Sequence, residues 1–132
     1  MAHILELDGV GPTIGEGVYL APTAVLVGDV HVGDHATVWF GAVLRADSER
    51  IEVGARSSIQ DNAVIHCADG LPTIVGEDVT IGHAAGVPVT ERKPLSGGSE
   101  RWTDTASEKY QDLRERYLRT STARSSDGSS TV

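Results

Sequence analysis

Twelve aliphatic residues keep a beat of six through the first two thirds of this chain. Ile14, Leu20, Leu26, Val32, Val38 and Leu44 sit six apart without a miss. The beat resumes at Val53, Ile59 and Ile65 after one short insertion, and at Val75, Ile81 and Val87 after a second. A series of mostly small residues lies four after the anchors: Val18, Ala24, Val30, Ala36, Ala42, Ser57, Ala63, Val79 and Ala85. A period of six suits neither the 3.6 of a helix nor the alternation of a hairpin sheet. It is the pattern of a hexapeptide β-helix, whose short strands wind round a narrow aliphatic core. In that fold the large branched residue of each hexad points inward and the small one lies near a corner. Gly28-Asp29 and Gly33-Asp34 are expected to supply turn conformations that strain other residues. An antiparallel sheet would give no reason for a fixed six. The expected fold is a mainly β, parallel β-helix of about four coils, followed by one helix.

Composition agrees with a thin interior. Aromatic residues make up 5% of 132, and Phe40 is the only phenylalanine. No apolar run is long enough to span a membrane, and Met1 to Glu6 lacks the basic and apolar regions of a signal peptide. The single cysteine, Cys67, cannot form an internal disulfide, which fits a cytoplasmic location. Residues 1–87 carry 12 acids against three bases, whereas residues 88–132 carry seven against eight. An acidic body argues against nucleic acid or an anionic membrane as partner, since both require a basic footprint.

The chain changes character after Val87. Residues 1–87 read as the β-helix, 88–98 as a Pro- and Gly-containing linker, 99–119 as an amphipathic helix and 120–132 as a disordered Ser/Thr-rich tail. Trp102, Ala106, Tyr110, Leu113 and Tyr117 form one apolar face, and Ser99 is a plausible N-cap. Asp112 with Arg116 and Glu115 with Arg119 are i,i+4 pairs worth about 0.2–0.5 kcal/mol each. So short a helix is marginal alone, so its aromatic stripe is expected to dock on the coil flank.

Two histidines stand at telling places in the repeats. His66 follows the anchor Ile65, and His83 lies two after Ile81. With three hexads per turn they fall on different faces, so they could meet only between neighbouring chains. Imidazoles from adjacent chains would begin a zinc site. The plain alternative is that each is a polar surface or interface residue. Cys67, beside His66, is either a soft metal ligand or, since adjacent strand residues point opposite ways, a packed and inert thiol.

Arg45-Ala46-Asp47, Ile59-Gln60-Asp61-Asn62, Val64-Ile65-His66 and Val79-Thr80-Ile81-Gly82-His83 together resemble the γ-class carbonic anhydrase-like branch of the hexapeptide-repeat proteins. The resemblance covers roughly residues 10–87. It also touches Gly86-Val87-Pro88 and the helix beyond, which resemble the end of the family's chains. It implies a homotrimer of left-handed β-helices with zinc at the subunit interfaces, each site taking two histidines from one chain and one from its neighbour. It also implies zinc-hydroxide hydration of carbon dioxide as the ancestral activity on a small-molecule substrate. His66 matches the first ligand, and His83 the one donated across the interface. Gln60 and Asp61 resemble residues near the metal that orient the nucleophile and bind neighbouring groups. Arg45 and Asp47 resemble residues that form ion pairs across the interface.

The third family ligand lies five residues after the second, where this chain has Pro88, and no histidine follows His83. Proline brings neither a ligand nor a backbone donor. The simplest account is an internal deletion that passes from the Ile81-Gly82-His83 coil straight into the terminal Gly-Val-Pro segment. Three functions remain open at this point: an impaired carbonic anhydrase-like enzyme, a non-catalytic trimeric scaffold or partner-binding protein, and a hexapeptide-repeat acyltransferase with a histidine base.

Overall fold

The computed structural model describes residues 1–82, 108–109 and 111–119. His83, Pro88, the whole proposed linker 88–98, residues 99–107 of the proposed helix and the 120–132 tail lie outside the described residues.

Among the described residues ten strands form the body, and all the pairings between them are parallel. In chain order they are β1 His3–Leu5, β2 Thr13–Ile14, β3 Tyr19–Leu20, β4 Val25–Val32, β5 Thr37–Val38, β6 Val43–Val53, β7 Ser58–Ile59, β8 Val64–His66, β9 Thr73–Val75 and β10 Thr80–Ile81. One ladder runs β3-β5-β7-β10, so four coils stack at that face. β4 and β6 turn a corner and serve two faces: β1 and β8 flank them on one, and β2 and β9 on the other.

The register makes the six-residue beat physical. Ile14 pairs with Val32, Val32 with Val53, and Val53 with Val75. Leu20 pairs with Val38, Val38 with Ile59, and Ile59 with Ile81. Ile4, Leu26, Leu44 and Ile65 make the third column. From Ile14 on, anchor therefore stacks on anchor, 18 residues apart at first and 21 or 22 apart once the two insertions intervene, while Ile4 lies 22 before Leu26. Leu26, Leu44, Val38, Ile51 and Ile59 are completely buried, as are the small residues Ala24, Ala36, Ala42 and Ser57. Each fully buried large aliphatic side chain contributes about 1.5–3 kcal/mol relative to an exposed one. The end coils are less covered, leaving Ile4 exposed and Ile81 half-buried.

The corners correct one expectation. Gly33 does not take up the left-handed backbone. At six corners that conformation falls three residues after an anchor, at Gly17, His35, Gly41, Arg56, Asn62 and Asp78, and it also occurs in the excursions at Asp8, Gly9 and Gly70. Gly28 alone of the two named glycines has positive φ, at 77°. Gly33 is needed for a different reason: a Cβ there would lie 2.7 Å from the Ala55 amide nitrogen of the next coil. The corner glycines thus let neighbouring coils approach.

Residues 108–109 and 111–119 are helical. The stretch 111–119, α1, packs on the β3-β5-β7 face. Leu113 and Leu118 meet the buried group Tyr19, Ala21 and Trp39. The Tyr117 ring lies 5.4 Å from Tyr19, 5.0 Å from Trp39 and 5.8 Å from Phe40. Of the predicted stripe, Leu113 and Tyr117 make these contacts, while Trp102, Ala106 and Tyr110 lie outside the described residues. Below the helix, Trp39 Nε1 donates to Thr37 Oγ1 and Ser58 Oγ, each at 3.0 Å, which satisfies the buried polar atoms of this face. Among the described residues no helix is long and apolar enough to cross a membrane.

Candidate metal centre

The face formed by β4, β6 and β8 is not the one α1 covers, and it carries His66. Register places Val27, Arg45 and His66 in one outward column. Val25, Val43 and Val64 form the outward column beside it. This gives an apolar strip next to a cation and an imidazole. Val64 is 69% exposed.

Around His66 the groups are ordered. The His66 Nδ1–H donates to the Arg45 carbonyl at 2.8 Å. The Arg45 guanidinium donates to Asp47 Oδ2 at 2.6 Å, and Asp47 Oδ1 lies 3.6 Å from His66 Nδ1. Desolvation pushes the Asp47 carboxyl up, but the hydrogen bond and charge of Arg45, helped by His66, outweigh it and hold the group below its ordinary value. The pairing of Arg45 with Asp47 is within one chain.

Cys67 is buried, as the packed-thiol reading expected, yet it is not remote from His66. The insertion after Ala46 folds over it. The Glu49 amide donates to Cys67 Sγ at 3.2 Å, and the thiol faces the Glu49 carbonyl at 3.1 Å. The next excursion is tied to the same loop, because the Gly70 amide donates to the Glu49 carboxylate at 3.2 Å. As a result Asp47, His66 and Cys67 bring ligand atoms within 4.8 Å of one another. Strand alternation missed this, since the rule describes regular strands and not an excursion that curls back over the following coil. The signal available in sequence was the adjacent His66-Cys67 pair together with the extra residues after Ala46.

Gln60 and Asp61 lie elsewhere along the coil. Gln60 is buried just after β7, its backbone N–H donating to the Ile81 carbonyl at 3.0 Å, and Asp61 is exposed at the following corner. The structure brings Arg45, Asp47 and His66 together. It does not place Gln60 or Asp61 in that hydrogen-bonded group.

A second missed residue is Arg114. It is 6% exposed although charged. Its Nε donates to the Gly17 carbonyl, and its Nη2 donates to His35 Nδ1 at 3.0 Å. Gln111 donates to the His35 carbonyl at 2.9 Å. These bonds anchor α1 to a corner of the coils. A polar residue next to the apolar stripe gave no warning of burial.

The repeats and register define a hexapeptide-repeat β-solenoid. Residues 11–46 match the family model described as bacterial transferase hexapeptide (six repeats). The fold is similar to a crystal structure of a hexapeptide transferase family protein from Anaplasma phagocytophilum, with a TM-score of 0.74 at 24% identity, covering 87% of this chain and 98% of that one. The chain is also 49% identical over 80 residues to gamma carbonic anhydrase 3, mitochondrial, of Arabidopsis thaliana, covering 56% of this chain and 31% of that protein. It is 35% identical over 80 residues to carbonic anhydrase of Geobacillus kaustophilus, covering 61% of this chain and 44% of that protein. Over about half of its length the chain is thus similar to carbonic anhydrases of the gamma class, on a hexapeptide-repeat fold, and it spans less than half the length of these curated relatives.

If the three-histidine donor set that the resemblance implies applies here, the residues present do not fill it: His66, whose ring is oriented by the Arg45 carbonyl, and His83 would be two ligands, and the resemblance puts Pro88, which has no side-chain donor, in the third place.

Proposed function

We propose that the protein is a γ-carbonic anhydrase-like homotrimer whose ancestral reaction, zinc-dependent hydration of carbon dioxide, is impaired by loss of the third histidine. The observation that carries the reading is the outward face on which His66, Arg45 and Asp47 are linked beside the valine strip of Val25, Val43 and Val64. A strip of that kind is suited to burial against another chain, and it borders the residue that matches a family ligand. His83 would be supplied across that interface. Gln60 and Asp61 would act near the substrate only from the assembled trimer. The lone buried thiol supports a reducing, cytoplasmic setting.

Catalytic zinc ordinarily takes three protein ligands and an open position. With two histidines the ion is held less firmly and its charge is less well directed. The rate of carbon dioxide hydration by purified, zinc-supplemented protein tests the reading. A weak zinc-dependent rate that disappears in His66→Ala supports it. A rate equal to the enzyme-free blank removes the enzymatic part.

A second reading has its own support. Leu113, Tyr117 and Leu118 of α1 are engaged with the coils, and the valine face remains for assembly, so a silent trimeric scaffold needs no metal. Acyl transfer rests on likeness of fold and on the hexapeptide match over residues 11–46. Absence of coenzyme A binding would dismiss it.

A further inference from the structure

His35 stands at the corner where α1 meets the coils. Its backbone takes positive φ, at 58°, as do those of Gly17 on the coil before and of Arg56 and Asp78 on the coils after. Backbone bonds stack these corners. The His35 N–H donates to the Glu16 carbonyl at 2.8 Å, the Arg56 N–H to the Asp34 carbonyl at 2.9 Å and the Asp78 N–H to the Ala55 carbonyl at 3.0 Å. Gly17 leaves the space in which His35 and Arg114 meet: a Cβ there would lie 2.5 Å from His35 Nδ1 and 2.6 Å from Arg114 Nη2.

The contact fixes where the His35 proton sits. Arg114 Nη2 lies 3.0 Å from His35 Nδ1. A guanidinium can only donate, so Nδ1 presents its lone pair and the ring proton lies on Nε2. A proton added at Nδ1 would set one N–H against another, each on a cation. Arg114 is held in place: it is 6% exposed and also bonded to the Gly17 carbonyl and to Glu115.

The other charged groups around the ring do not reverse this. From α1, Asp112 and Glu115 line the same groove, but Glu115 is bonded to Arg114 and Asp112 faces solvent. The next coil brings a second guanidinium, that of Arg56, paired with Asp78 at 2.9 Å and Glu77 at 3.3 Å. On the ring's own corner Asp34 Oδ1 accepts from the Glu16 N–H, and the Glu16 side chain is exposed.

We propose that His35 and Arg114 form an acid-sensitive latch, which holds α1 on the solenoid while Nδ1 is bare and loosens it when Nδ1 is protonated. The docked form excludes a proton that the released form accepts, so acid favours release. Imidazoles ordinarily titrate near about pH 6.5, so docking is strongest above about pH 7 and weakens below about pH 6. Release uncovers the aromatic group of Tyr19 and Trp39. The latch is independent of carbon dioxide hydration and of His66.

Amide hydrogen exchange of residues 111–119 in the full-length protein, corrected for the intrinsic effect of pH, tests this. The expected result is protection about three- to tenfold lower at about pH 5.5 than at about pH 7.5. His35→Asn keeps a residue that accepts positive φ and does not titrate, so its protection should be the same at both. Arg114→Met should dock more weakly at neutral pH yet lose the pH dependence, which a purely structural arginine would not do. If either variant fails to dock, nitrogen NMR of the His35 ring in the parent at neutral pH decides: a bare Nδ1 supports the latch, and a proton on Nδ1 overturns it. The inference is also overturned if protection in the parent does not fall in acid, or if His35→Asn shows the same fall.

Discussion

The Tyr117 ring of α1 meets the Trp39 ring of the solenoid edge-on, with centroids 5.0 Å apart and planes at 80°. This contact joins the two parts of the chain. Edge-to-face pairs contribute about 0.5–1.5 kcal/mol beyond area burial. Tyr117 is 36% exposed, so its full truncation costs less than that of a core aromatic. Tyr117→Ala is expected to destabilise the folded protein by about 1–2 kcal/mol. Urea unfolding checks this, with tryptophan emission shifting to the red as Trp39 gains water. An unchanged midpoint would mean that the helix contributes nothing to the body.

Gly33 has a different role from that of a turn residue. An added Cβ would press on the Ala55 amide nitrogen of the neighbouring coil at 2.7 Å, and backbone cannot step aside cheaply. Gly33→Ala is expected to cost about 1–3 kcal/mol, the usual range for overpacking. Gly76→Ala is the control, because among the described residues its Cβ would meet only the Val79 side chain at 3.7 Å. A thermal melt of the two variants should separate them clearly, and equal melting temperatures would refute the close-approach argument.

Asp29 gives the protein an acid-side pH dependence. The hydrogen bond from His31, at 2.7 Å, is the main reason its carboxyl lies below the ordinary value, and Arg50 at 3.5 Å adds to it. A carboxyl with a lowered folded-state pKa stabilises the fold above its unfolded value of about 3.9. That contribution disappears as pH falls through the lower folded value. Asp29→Asn should therefore lose stability at neutral pH and show a flatter decline between about pH 5 and about pH 2. Parallel declines for the variant and the parent would remove Asp29 from the account. The group is partly exposed, so the effect is modest.

Much of the fold was legible because one repeat dictates one geometry. The spacing of Leu26, Leu44 and Ile65 stated which residues stack, and their pairing in the structure follows it. The docking of Leu113 and Tyr117 on the coil flank was also readable, since an aromatic stripe on a short helix needs a surface. The positions of positive φ were not. Arg56 and Asp78 adopt it, and their side chains form an ion pair along the corner at 2.9 Å. Residue type alone would not select an arginine for such a backbone. The proximity of Cys67 to Asp47 was hidden for a related reason: it is created by an irregular loop, and periodicity carries no information about where an irregular loop returns. His83 and Pro88 bear on the proposed interface site through sequence alone, as both lie outside the described residues.

The mass of the protein in solution, measured by light scattering at micromolar concentration for the parent and for Val64→Asp, tests the central claim most directly. Val64 is 69% exposed and stands two residues before His66, so the change leaves the folded chain intact while placing a charge in the valine strip. The account predicts three chains for the parent and one for the variant. A parent that is already monomeric, or a variant that remains trimeric, would contradict the placement of a subunit interface on the His66 face.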